Sequence, residues 1–150
     1  MRTVAENEGP HPLVAFVDDD PAAREAGCRL LKGYGCQVLI GVDGNDAVAL
    51  RFGDPEPDAM FVNGLMPGMC GPEAIEIIRE RERAEGRPRM PIALQTGWED
   101  AAERAARCGA DTYVFAPWST DGLLATLERL LAGRADENEK LGGRGSGSRD

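Results

Sequence analysis

Five short apolar runs recur along this chain, each followed by a stretch of helical periodicity, and that alternation constrains the fold more than any single residue. Leu13-Val14-Ala15-Phe16-Val17 is continuously apolar, as a strand buried on both faces must be. Residues 37–40, 59–62, 92–94 and 112–115 supply the second to fifth strands. Asp20-Pro21 opens the first helix, with Asp20 as N-cap and Pro21 in the first turn. Ala23, Ala26, Gly27, Leu30 and Leu31 give that helix one apolar face, and Gly33 and Gly35 stop it. Further helices are predicted over 45–52, 72–84 (with Ala74, Ile75, Ile77 and Ile78 inward) and 99–108. Ser119 caps a last helix carrying Leu123, Leu124, Leu127, Leu130 and Leu131. Strands alternating with helices imply right-handed crossovers and a parallel sheet covered on both sides, an α/β fold.

At 150 residues the chain is long enough for one domain with a real core. That domain is expected over residues 13–134, after a flexible lead-in at 1–12. From residue 135 to 150 the chain turns polar and then Gly/Ser-rich, a composition that buries too little apolar surface to repay ordering, so a disordered tail is expected. No second domain, and hence no attached output module, is expected. The net charge of −9 comes from 26 acidic and 17 basic residues and argues against nucleic acid or an anionic membrane as a partner. No apolar stretch approaches the roughly 20 residues of a membrane span, and the first ten residues lack a secretory apolar region. A cytoplasmic location follows as the expectation. Cys28, Cys36, Cys70 and Cys108 form no CxxC pair, so neither a zinc site nor a disulfide framework is signalled. Cys28 and Cys108 are expected as small core residues.

In a parallel sheet of this kind the functional site lies at the carboxyl ends of the strands. That rule selects residues 18–20, Asn63, residues 95–97 and Ala116-Pro117. Asp20 alone suffices as a cap, and three adjacent acids at a strand end exceed what capping needs, which singles out Asp18 and Asp19 as well. Asn63 ends the run Ala59-Met60-Phe61-Val62 and is followed by Gly64-Leu65-Met66-Pro67-Gly68. Thr96 ends the fourth run. The fifth, Thr112-Tyr113-Val114-Phe115, leads into Ala116-Pro117-Trp118.

In combination these motifs resemble the receiver domain of two-component response regulators, of the chemotaxis-regulator-like type, over about residues 13–132. The resemblance implies a flavodoxin-like, three-layer (βα)5 fold with sheet order 2-1-3-4-5. It also implies roles. Asn63 stands at the position of the phosphoacceptor aspartate, and Ala116 at that of a lysine that pairs with it. Asp18 and Asp19 match the family's acidic pocket for magnesium, with Asp19 and the backbone carbonyl of Leu65 as the direct ligands. Thr96 and Tyr113 match a switch pair. The fourth helix, fifth strand and fifth helix form the family's usual partner face, on which Trp98 and Trp118 fall. Tryptophan is enriched at binding hot spots; Trp98 is expected as a contact residue and Trp118 as core packing. Losing aspartate and lysine together is coherent, because losing one would strand the other's charge in a partly buried site.

The expectation is an atypical, stand-alone receiver, a pseudo-receiver without enzymatic activity. Magnesium binding should be weak or absent, and no other cofactor is implied. The partner would be a signalling protein, a histidine kinase or a downstream effector, with a homodimer through the same face allowed. One alternative is a regulator phosphorylated on a deamidated Asn63, which precedes Gly64, or on Asp18, Asp19 or Thr96. Another is a small-ligand-binding flavodoxin-like domain, disfavoured because no Gly-rich loop follows the first strand. The single histidine, His11, lies in the lead-in, and no nucleophile–base pair is visible.

Overall fold

The computed structural model describes the backbone of residues 11–145 and the side chains of residues 11–134. Five strands and five helices alternate: β1 (Leu13–Val17), α1 (Pro21–Gly33), β2 (Gln37–Gly41), α2 (Gly44–Arg51), β3 (Ala59–Asn63), α3 (Gly71–Glu85), β4 (Ile92–Thr96), α4 (Ala101–Cys108), β5 (Thr112–Phe115) and α5 (Thr120–Gly145). The strands form one parallel sheet in the order β2-β1-β3-β4-β5. This is the flavodoxin-like architecture with the expected 2-1-3-4-5 order.

The period of two along each strand splits the core into two layers. Val14, Phe16, Phe61 and Ala93 pack with Leu31 of α1 and with Leu123 and Leu127 of α5. Ala15, Val17, Met60, Val62 and Leu94 pack on the other side with Ile75 and Ile78 of α3 and Ala105 of α4. The caps follow the sequence: Asp20 Oδ1 accepts from the Ala22 N–H at 3.1 Å, and Ser119 Oγ from the Gly122 N–H at 3.0 Å. Gly27 lies where a Cβ would overlap the Phe16 ring, so α1 approaches the sheet more closely than any larger residue permits.

Several inward assignments need correction. Ala26 is exposed and Ile77 is 36% exposed, because each lies at the margin of its helix's apolar stripe. Cys28 is half-buried, whereas Cys36 and Cys108 are buried, and burial pushes the Cys36 thiol up to about 11. The last helix does not stop at residue 134 but continues to Gly145, across much of the stretch expected as a disordered tail. Ala135, Glu137, Glu139, Lys140 and Leu141 are good helix formers and outweigh the polar composition locally. The rest of that tail, 146–150, and residues 1–10 of the expected lead-in lie outside the described residues. Among the described residues no helix is long and apolar enough to cross a membrane.

Charge is buried at the amino ends of β4 and β5. Arg51 is fully buried and donates to Glu82 Oε2 at 2.7 Å, to Glu56 Oε1 at 2.6 Å and to the Pro88 carbonyl at 2.9 Å. Arg79 donates to Glu82 Oε1 at 2.8 Å, to Asp111 Oδ2 at 2.9 Å and to the Gly109 carbonyl at 2.8 Å. Glu82 also accepts the Met90 N–H at 2.9 Å. The network ties α2, α3 and the entries to two strands at the rim opposite the predicted site.

Candidate functional site

Phe16, Phe61, Ala93 and Val114 all face the α1/α5 layer. Strand alternation therefore points Asp18, Asn63, Gln95 and Ala116, each two residues further along its strand direction, to that same side. The register pairs Phe16 with Phe61, Asn63 with Gln95 and Gln95 with Val114, so Asp18, Asn63 and Gln95 form one row across three neighbouring strands at the carboxyl edge, and Ala116 lies two residues beyond that row on the fourth.

Asn63 holds the row together. Its Nδ2 donates to the Leu65 carbonyl at 2.9 Å, to Asp19 Oδ1 at 3.2 Å and to Asp18 Oδ1 at 3.4 Å. All three neighbours accept only, so the amide must present its NH2 to them. Asp18 is 5% exposed. Its Oδ1 also takes the Asp20 N–H at 2.9 Å, and its Oδ2 takes Gln95 Nε2 at 2.6 Å. Burial raises the Asp18 carboxyl above its ordinary range; the Asp20 N–H opposes this, and the charges of Asp19 and Asp20 add to it. Arg24 reaches only the Asp18 backbone carbonyl, at 2.8 Å. None of the ion pairs among the described residues involves Asp18, Asp19 or Asp20.

This arrangement does not fit a magnesium ion. A cation at the meeting point of Asp18, Asp19 and the Leu65 carbonyl would face the N–H groups of Asn63 rather than an oxygen. Among the described residues, no three His, Cys, Asp or Glu side chains are grouped so as to hold a metal.

Gln95 is the site residue that sequence reasoning missed. Position selected residues 95–97, but no role was attached to this side chain. The signal was there: a glutamine inside the otherwise apolar strand Ile92-Ala93-Leu94-Gln95. It is 1% exposed and spends its NH2 on Asp18, leaving Oε1 buried without a hydrogen-bond partner.

The remaining predicted residues lie around this row. Thr96 is buried, and its Oγ1 accepts the Trp98 N–H at 3.0 Å. Trp98, expected on a partner face, is half-buried and packs against the core. A Cβ on Gly64 would come within 2.8 Å of its ring, and the Arg104 guanidinium stacks on it with 4.3 Å to the centroid. The absent side chain at 64 is what makes room for the indole beside Thr96. Tyr113 is half-buried and meets Phe115 edge-on, with centroids 5.3 Å apart. Phe115, which sequence reading did not single out, is 51% exposed on the edge strand. Trp118 packs edge-on against Phe16 at 6.4 Å, in keeping with the core role expected for it. Leu65 is 71% exposed, and its carbonyl already receives Asn63.

Residues 14–128 match the family model described as the response regulator receiver domain. The chain belongs to the response regulator receiver family. It is thereby a receiver domain of two-component signalling. The receiver is 30% identical over 115 residues to protein PilG of Pseudomonas aeruginosa, an alignment spanning 77% of this chain and 84% of PilG. It is 35% identical over 120 residues to the response regulator MprA of Mycolicibacterium vanbaalenii, spanning 79% of this chain and 49% of MprA. It is 31% identical over 122 residues to the phosphate regulon transcriptional regulatory protein PhoB of Rhizobium meliloti, spanning 80% of this chain and 52% of PhoB. The receiver thus spans about half the length of the latter two. Among solved structures it matches the chemotaxis protein CheY4 of Vibrio cholerae with a TM-score of 0.71 and 25% identity, covering 81% of this chain and all of that one. A signal receiver domain from Pseudomonas fluorescens, at 21% identity, shares the fold with a TM-score of 0.76 over 89% of this chain and 96% of its own.

Proposed function

We propose that this receiver signals without phosphoryl transfer, as a pseudo-receiver acting through contact with a signalling protein. The observation that supports this most is the Asn63 carboxamide, whose NH2 donates into Asp18, Asp19 and the Leu65 carbonyl. A neutral amide nitrogen is a poor nucleophile and forms no acyl phosphate. Here it also occupies the oxygens a magnesium ion would need, so magnesium binds weakly or not at all. Ala116 supplies no cation to the same edge. The protein is not an enzyme on this reading, and its partner is a histidine kinase or a downstream effector. The exposed Phe115 on β5, with Tyr113 beside it, gives α4, β5 and α5 an apolar contact patch that serves such a partner or a second copy. With a net charge of −9 the receiver makes no direct contact with nucleic acid.

The alternative through deamidation is disfavoured by the backbone. Succinimide closure needs the Gly64 nitrogen as nucleophile, and that N–H is engaged with the Gln95 carbonyl at 2.8 Å. The test is treatment of freshly purified protein with acetyl phosphate, and separately with beryllofluoride, in the presence of magnesium. Intact mass is expected to show no phosphoryl adduct, and tryptophan emission no saturable change. An acid-labile adduct would overturn the reading.

A further inference from the structure

At the amino ends of β4 and β5, the rim opposite Asn63, lies a pocket of about 160 Å³. Arg89, Pro91, Asp111 and Thr112 line it together with Arg129, Leu130 and Gly133 of α5. Its charges do not balance. Asp111 is already met within the protein: Oδ1 accepts from Arg89 Nε at 2.8 Å, and Oδ2 from Arg79 Nη2 at 2.9 Å and the Ile92 N–H at 2.8 Å. Arg129 has no such counterpart. Its hydrogen bond runs from Nη1 to Thr112 Oγ1 at 3.0 Å, and it makes no ion pair among the described residues. Its Nε and Nη2 are left to donate elsewhere. Arg89 spends Nε on Asp111 and Nη2 on the Gly109 carbonyl, which leaves Nη1. Arg134 does not line the pocket, but one turn beyond Leu130 on the same helix it holds Nε and Nη1 buried without a partner. In a chain of net charge −9, this corner is short of anions.

The lining selects the ligand. Guanidinium N–H groups donate and never accept, and their planar fork matches a carboxylate. Thr112 is buried; its Oγ1 accepts from Arg129 and keeps its own proton to donate. Pro91 and Leu130 supply apolar wall for a short stem. The volume falls below the roughly 300–1,000 Å³ of a drug-sized site, which limits the ligand to a small one. The Asp111 carboxylate belongs to the lining, so a doubly charged phosphate meets more repulsion there than a single negative charge does. We propose that this pocket binds a small monocarboxylate, with Arg129, Arg89 and the Thr112 hydroxyl donating to its oxygens and its stem against Pro91 and Leu130. The carboxylate can belong to a free short-chain acid or to a glutamate side chain of a protein partner. The pocket is at the rim away from Asn63, so the proposal stands apart from the reading of that residue.

The experiment is a titration of the isotope-labelled full chain with sodium butyrate, following the Arg129 Nε–H and the Thr112 backbone amide by NMR. Sodium chloride controls for ionic strength and 1-butanol for the apolar stem. A saturable shift of both signals is expected with butyrate alone. Arg129→Gln, at an exposed position, should weaken binding about tenfold or more by removing a charged donor; the Thr112 amide reads it. Thr112→Val keeps the side-chain shape and should weaken binding by removing the hydroxyl, read on the Arg129 Nε–H. Dispersed sheet amides show that each variant is folded. No saturable shift, a shift shared with either control, undiminished binding in both variants, or tighter binding of inorganic phosphate than of butyrate overturns the proposal. Nα-acetyl-glutamate amide then separates the sources. Binding at least as tight as that of butyrate assigns a glutamate of a protein partner, and weaker binding or exclusion assigns a free short-chain acid.

Discussion

Asp18 dominates the titration of the site, because it is the one of the three clustered carboxylates that is buried. Its folded-state carboxyl titrates above the ordinary range, so the folded protein holds that proton more tightly than the unfolded chain. Ionised Asp18 therefore subtracts stability near neutral pH, and the penalty fades as pH falls through its raised value. Asp18→Asn should raise the thermal midpoint near neutral pH by on the order of 2–4 °C. The gain should shrink as pH falls towards the carboxylate range, read by thermal scans across pH. The new amide can also donate to Gln95 Oε1 once that side chain turns over. Asn63→Asp tests the opposite change. It removes the donor shared by three oxygens and adds a like charge beside Asp18 and Asp19. In chelator it should destabilise by on the order of 2–4 kcal/mol, and magnesium should restore much of the loss, which it does not do for the parent protein. Denaturant unfolding with and without magnesium reads both effects. None of this pairing is local in sequence. Asn63 and the acidic run stand out by type and position, but the reach of Gln95 from β4 over to Asp18 exists only once the strands are ordered.

Strands and helices were legible because their apolar periods are short-range signals. Leu13–Val17 reads as a doubly buried strand from five letters, and Asp20-Pro21 as a helix start from two. What was not legible depends on neighbours in space. Trp98 reads as a surface anchor until Gly64 is found beneath it. Nothing in the sequence singles out Arg51, Arg79 and Glu82, yet they are buried together. Both features give predictions for their elements. Gly64→Ala should displace the indole, shift tryptophan emission to the red and cost about 1–3 kcal/mol as an overpacking change. Glu82→Ala leaves the buried Arg51 and Arg79 guanidiniums without the carboxylate they share, and should cost about 3–5 kcal/mol in urea unfolding. An unchanged midpoint for Glu82→Ala would mean that the network adds little to stability.

Across the whole molecule, burial of the strands decreases from the centre of the sheet outward. β1, β3 and β4 are flanked by strands on both sides and covered by both helical layers, whereas β2 and β5 are edges with exposed apolar residues such as Ile40 and Phe115. Amide exchange should accordingly be slowest in β1, β3 and β4, and faster at β5, the edge proposed to meet a partner. Equal protection of β5 in the isolated protein would argue that this edge is already covered, as in a dimer. The two rims of the sheet also differ in kind. At the amino rim, fixed charges bind three elements together; at the carboxyl rim, amides and an alanine stand beside carboxylates that make no ion pair among the described residues. Because the anchoring lies at one end and the chemistry at the other, residues at the carboxyl edge can be exchanged singly while the chain still folds. That separation makes the reactive end of this protein a replaceable part, open to drift over generations and equally open to redesign.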